Sequence, residues 1–97
     1  MYNCPMPGVA LDLIRAGCEI IARGRDRDKV SMRHRGFLLI RYEGERMFVR
    51  KSLHTQIPLY SIHSESRRFC EVTFDPHEVK VMVKNIYTRI KANEVQL

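Results

Sequence analysis

The chain has little cysteine, and what it has is spaced in a way that excludes several classes at once. Cys4, Cys18 and Cys70 are odd in number and far apart, with no CxxC pair. A zinc knuckle, a thioredoxin-type motif and a paired disulfide framework are therefore all missing. Free thiols predict a reducing cytosol. No stretch approaches the 18 or more apolar residues of a membrane span, so no membrane partner is expected. The opening MYNCPMPGVALDLIRAG has neither the basic start nor the long apolar run of a signal peptide. GxSxG, Walker A, HExxH and dinucleotide-binding patterns are all absent, and no repeat or low-complexity segment occurs. The expectation is a cytoplasmic chain without cofactor or metal.

What is present suits a single domain over 1–97, with an extended arm at 1–8 and a frayed tail at 93–97. Hydrophobic residues make up 44% and charged residues 29%, ordinary values for a globular domain. The charge of +6 and a pI near 9.6 are less ordinary and favour polyanions as partners. That charge is concentrated. Residues 23–36, RGRDRDKVSMRHRG, carry Arg23, Arg25, Arg27, Lys29, Arg33 and Arg35 against Asp26 and Asp28. Arg46, Arg50 and Lys51 follow with no acid among residues 46–51.

Val9, Ala10, Leu13 and Ile14 recur at helical spacing behind Pro7, and Gly17 suits a left-handed helix end, so a short helix is expected over 9–16. CEIIAR (18–23) reads as a strand, with a helix continued through residue 23 as the alternative. GRDRDK (24–29) reads as a turn or loop. VSMRHR (30–35) alternates as a strand does, with Gly36 at a turn or bulge.

GFLLIRYEGERMFVRK (36–51) predicts a hairpin. A two-residue turn at Glu43-Gly44 would set Arg41 opposite Arg46, a like-charge pair that costs stability. A three-residue loop sets Arg41 opposite Glu45 instead and is the expected register. Phe37, Leu39, Met47 and Val49 then form the core face. Leu38, Ile40 and Phe48 form an apolar outer face rimmed by Arg33, Arg46 and Arg50.

Pro58 excludes a helix interior and a central strand within 52–66, leaving a loop or a short edge strand around Leu59–Ile62 and then a Ser-rich turn at 63–66. RRFCEVTF (67–74) alternates as a strand. Asp75-Pro76-His77-Glu78 is a helix start, and Val79, Met82, Val83, Ile86, Tyr87 and Ile90 form one apolar stripe, giving a helix over 76–92. The stripe is what a sheet needs to cover it, with a homodimer seam as the alternative. The whole reads as α+β: an antiparallel sheet of about four or five strands, a long C-terminal helix on one face and a short N-terminal helix. The order helix–strand–strand–strand–helix is similar to that of double-stranded-RNA-binding-like folds, small interferase toxins among them. Neither a Gly-Ser-His run after the first strand nor a basic cluster opening the last helix is present, so the likeness is one of element order alone.

Three functional readings follow. The first is a non-enzymatic nucleic-acid-binding module, DNA or RNA, in a regulatory or accessory role. Its phosphate contacts would be Arg23, Arg25, Arg27, Lys29, Arg33, Arg35, Arg46, Arg50 and Lys51, helped by stacking on Phe48. The bland counter-reading is a solvated loop in which Asp26 and Asp28 screen Arg25 and Arg27. The second is an inhibitor or adaptor that binds an acidic protein surface, anchored by Leu38, Ile40 and Phe48. The third is a small ribonuclease centred on His34 between Arg33 and Arg35, with a plain strand histidine as its counter-reading. His63, Cys70 and His77 stand seven apart, a spacing that suits no structural zinc site.

Overall fold

A computed structural model describes residues 6–27, 29, 34–52 and 57–95, and of His34 the backbone alone. Helix α1 spans Pro7–Arg15. Proline fits its first turn because an amide hydrogen there would find no partner within the helix. Gly17, at φ 100°, ends it. The Gly17 amide donates to the Ile14 carbonyl at 3.0 Å and the Cys18 amide to the Leu13 carbonyl at 2.9 Å, closing two of the carbonyls a helix end leaves open.

Five strands follow: β1 (Glu19–Arg27), β2 (His34–Tyr42), β3 (Glu45–Ser52), β4 (Leu59–Ser64) and β5 (Cys70–Thr73). Each pairs antiparallel with the next in chain order, so the sheet is an unbroken meander. A 3-10 turn at Pro76–Glu78 leads into α2, Val79–Val95. Asp75 caps that start by accepting from the His77 amide at 2.9 Å.

One core joins both helices to a single face of the sheet. It takes Val9, Ala10 and Leu13 from α1, Leu38, Ile40, Met47, Val49, Tyr60 and Ile62 from the strands, and Val79, Val83 and Ile86 from α2. The stripe foreseen on the last helix is the face that packs. Met82, Tyr87 and Ile90 flank it, and Tyr42 meets Tyr87 edge-on with ring centroids 5.3 Å apart. Leu38, Ile40, Met47 and Ile62 are fully buried, each worth about 1.5–3 kcal/mol. The α+β class and the roles of both helices match the expectation. No helix among the described residues is long and apolar enough to cross a membrane.

The hairpin register differs from the expected one. Arg41 lies opposite Arg46 and Tyr42 opposite Glu45, around a two-residue turn with Glu43 at φ 50° and Gly44 at φ 84°. Two positive φ values in succession give the turn whose twist matches that of the strands. The like-charge pair costs little because each arginine leaves it for a carboxylate: Arg41 meets Glu19 at 3.0 Å and Arg46 meets Glu65 at 3.3 Å. A slip of one residue exchanges the faces of β2. Leu38 and Ile40 therefore enter the core with Met47 and Val49, while Phe37 and Leu39 turn to the other face, where Leu39 is still buried.

Four further expectations change. β1 runs on to Arg27 through the segment read as a loop, since charge alternating with period two suits a strand with one wet face. β2 passes straight through Gly36, which pairs with Arg25 on one side and Lys51 on the other, so no turn forms there. The strand expected over 30–35 is met only at His34 and Arg35, because residues 30–33 lie outside the described residues. β4 is no edge strand but lies between β3 and β5, with Pro58 just ahead of it where no ladder hydrogen bond is lost. β5 begins at Cys70 rather than residue 67 because Arg67, at φ 65°, belongs to the preceding turn.

Candidate functional site on the open face of the sheet

Among the described residues no helix covers the second face of the sheet. Side-chain alternation places Asp26 of β1 there, with Arg35, Phe37, Leu39 and Arg41 of β2 and Arg46, Phe48 and Arg50 of β3. Ser61 and His63 of β4 and Cys70 and Val72 of β5 complete it. This surface is apolar along its middle and basic at both ends. At the hairpin end Arg41 and Arg46 are paired with Glu19 and Glu65 as described. At the other end the basic groups converge.

Asp26 organises that convergence. Its Oδ1 accepts from Arg35 Nε at 2.9 Å and its Oδ2 from Arg50 Nε at 3.0 Å. Arg50 then donates through Nη1 to His63 Nε2. His63 Nδ1 donates to the Ser64 carbonyl at 2.8 Å, so the proton sits on Nδ1 and Nε2 is free to accept. The His63 ring stacks on Phe48 with centroids 5.3 Å apart and planes inclined by 20°. The Arg50 guanidinium carbon lies 4.9 Å from the Phe48 ring centre, a cation–π contact. Arg50 is the most enclosed of these ions, with 13% of its side chain exposed. Burial pushes the Asp26 carboxyl up, but the hydrogen bonds and charges of Arg35 and Arg50 outweigh it and hold the group below the usual carboxylate value. Burial, seconded by the charges of Arg50, Arg67 and Arg35 against the Ser64 hydrogen bond, holds His63 below the usual imidazole value. The imidazole is neutral at pH 7.

Beside this chain of contacts lies a cleft of about 290 Å³ lined by Arg35, Arg50, Ser61, His63, Arg67 and Cys70. Arg67 reaches it from the turn between β4 and β5. That turn is tied by the Ser64 amide donating to the Phe69 carbonyl and the Arg67 amide donating to the Ser64 carbonyl, both at 2.9 Å. The buried Ser64 hydroxyl also accepts from the Phe69 amide at 3.3 Å. A backbone conformation rare for a side-chain-bearing residue is thus built in where it sends a guanidinium to the cleft.

The residues singled out from the sequence divide by face. Arg35, Arg46, Arg50 and Phe48 share the open face. Arg23, Arg25 and Arg27 stand opposite Leu38, Gly36 and His34 and so project from the helix side of β1. Lys51, opposite Tyr60, is on the helix side as well and lines a separate cleft with Met6, Tyr60 and His77. Lys29 is exposed in the connection after β1, and Arg33 lies outside the described residues. Leu38 and Ile40 are corrected outright: they are fully buried and present no surface to a partner, leaving Phe48 with Phe37 as the partly exposed apolar pair. Asp28 lies outside the described residues, and the Asp26 side chain is on the opposite face from its chain neighbours. In a strand Arg25 and Arg27 point the other way, and the carboxylate pairs instead across strands. The His34 side chain lies outside the described residues; among those described, the imidazole set among arginines is His63. Neither His63 nor Arg67 was expected there; the signal for His63 was its period-two spacing from Leu59 and Ser61.

Cys18 is buried against Leu13, and burial, eased by Lys84, pushes its thiol up to about 11, so it serves as a small apolar group. Among the described residues no His, Cys, Asp or Glu side chains gather as a metal donor set. Comparison of the chain with protein-family models, curated proteins and solved structures finds no match.

Proposed function

We propose that this chain is a small nucleic-acid-binding module that holds a single strand across the open face of its sheet, in a regulatory or accessory role and without catalysis. The observation that carries the reading is the Arg50–Phe48–His63 stack beside Arg35 and Arg67. Partly exposed rings on a sheet face that no described helix covers suit unstacked bases, and adjacent guanidiniums suit the phosphates between them. A duplex groove calls instead for a protruding helix or ribbon. Both ring nitrogens of His63 are engaged, by Arg50 and by the Ser64 carbonyl, which supports a positioning role rather than a proton-transfer one. Cys18 and Cys70 are free thiols and fit a reducing compartment such as the cytoplasm.

The test is titration with random single-stranded RNA, single-stranded DNA and duplex DNA at two salt concentrations. Single strands should bind more tightly than duplex, and raising the salt should weaken them. Phe48→Ala should lower single-strand affinity about tenfold or more, the usual size of one lost base–aromatic stack. Absence of binding to all three at about 50 mM salt overturns the proposal. An acidic protein surface, the other occupant such a face suits, would then be the reading to pursue.

A further inference from the structure

We propose that the cleft between Arg35, Arg50 and Arg67 is a subsite for a terminal phosphomonoester, so that the strand on the open face is anchored by a phosphorylated end. This rests on the reading above and adds the chemical class of the anchoring group. Three guanidiniums from three separate elements (β2, β3 and the β4–β5 turn) line one cleft, and Ser61 and His63 sit between them. Among the described residues the acid that meets this group is Asp26, and its two oxygens are committed to Arg35 and Arg50. With His63 neutral, two positive charges are left over. A phosphomonoester carries about −1.5 to −2 at pH 7, whereas each backbone diester carries about −1. The cleft therefore matches an end group better than a link in a chain.

The rest of the face points the same way. A protein that tracks diesters spreads its cations along the strand path. Here the described arginines of this face outside the cleft, Arg41 and Arg46, are each paired with a carboxylate, and Phe37, Leu39 and Phe48 occupy the ground between. At about 290 Å³ the cleft is at the small end of ligand sites, which run from about 300 to 1,000 Å³. It suits a phosphoryl group and its sugar, with the next base placed for the Phe48–His63 stack. The guanidinium planes supply the paired donors that a phosphate's terminal oxygens accept.

The experiment compares one short oligonucleotide sequence in three forms: 5′-phosphorylated, 3′-phosphorylated and without an end phosphate. Inorganic phosphate and a nucleoside 5′-monophosphate serve as competitors. One phosphorylated form should bind about tenfold more tightly than the unphosphorylated one, the gain expected of a single charge-assisted site. Arg67→Gly should erase that preference, so that the variant binds the phosphorylated and unphosphorylated strands equally. Glycine suits the φ of 65° at this position, so the thermal midpoint should hold or rise and unfolding cannot mimic the loss. Equal affinity for all three forms overturns the subsite and leaves the sheet-face reading intact. Absence of binding to every strand overturns that reading too. Arg67-dependent binding of inorganic phosphate or the monophosphate without any strand preference overturns strand anchoring and makes the ligand a free phosphate compound.

Discussion

Asp26 on β1 reaches past β2 to accept a hydrogen bond from Arg50 on β3, at 3.0 Å, while its other oxygen holds Arg35 of β2 at 2.9 Å. One carboxylate thus ties three strands together on the face that no described helix covers. Asp26→Asn leaves at most one good acceptor for two guanidiniums and should destabilise the fold by about 1–2 kcal/mol. The folded carboxyl lies below its ordinary value of 3.8, so its contribution is present above that pH and is lost as pH falls through the lower folded value. Urea denaturation should show a clear gap between wild type and variant at neutral pH that closes in strong acid. A gap unchanged in acid would mean that the ion pairs contribute nothing.

His63 sets a second, higher window. Its folded value lies below 6.5, through burial first and then the charges of Arg50, Arg67 and Arg35. The unfolded chain therefore takes up this proton more readily than the folded one. Stability is whole above about pH 6.5, declines as pH falls toward the folded value, and levels off below it. Protonation also removes the lone pair that accepts from Arg50. Thermal midpoints measured from about pH 8 to pH 5 should fall in the wild type, and His63→Gln should flatten that part of the profile. A variant with an unchanged slope would assign the effect to another group.

The hairpin turn yields a stabilising substitution. Glu43 is exposed and sits at φ 50°, in the left-handed region where a glutamate costs about 1 kcal/mol and asparagine costs less. Asn-Gly is the preferred pair for this turn. Glu43→Asn should raise stability by about 0.5 kcal/mol, and Gly44→Ala, at φ 84°, should lower it by about 1 kcal/mol. If the chain used the three-residue loop in solution, Glu43→Asn would be neutral. Chemical denaturation of the two variants decides.

That turn also shows which parts of the molecule can be read from residues alone. Helix α2 is legible because cap, proline and stripe are local signals that agree, and Gly17 is legible because a helix end needs a left-handed residue. The register is not, because the carboxylates that relieve the Arg41–Arg46 pair, Glu19 and Glu65, are remote in sequence. A better signal was at hand. Arg35 and Arg41 share the parity of Phe37 and Leu39, which marks that face of β2 as the wet one. The site is half legible on the same grounds. Arg35, Arg46 and Arg50 come together by counting alternation along β2 and β3. His63 follows from alternation along β4 once that strand is known to lie beside β3, and Arg67 joins only through a positive-φ turn that no local pattern encodes. Asp26 shows the converse, since its nearest charges in sequence are those its strand turns away from it.

The exchange of faces on β2 can be measured directly. Leu38 is fully buried beneath the helices beside Ile40, Met47 and Val49, whereas Phe48 is partly exposed on the opposite face. Leu38→Ala should therefore open a cavity and cost about 2–5 kcal/mol, enough to remove much of the stability of a domain this small. Phe37→Ala and Phe48→Ala remove larger side chains, yet from a half-wet surface that can close over the gap. Each should cost well under what a buried phenylalanine would, about 1–2 kcal/mol. In the alternative register the order reverses at β2: Phe37→Ala becomes the severe change and Leu38→Ala the mild one. Denaturation midpoints of Leu38→Ala and Phe37→Ala, measured side by side, separate the two arrangements. If Leu38→Ala is severe while Phe48→Ala keeps the fold and loses single-strand affinity, the core and the binding surface lie on opposite faces of one sheet.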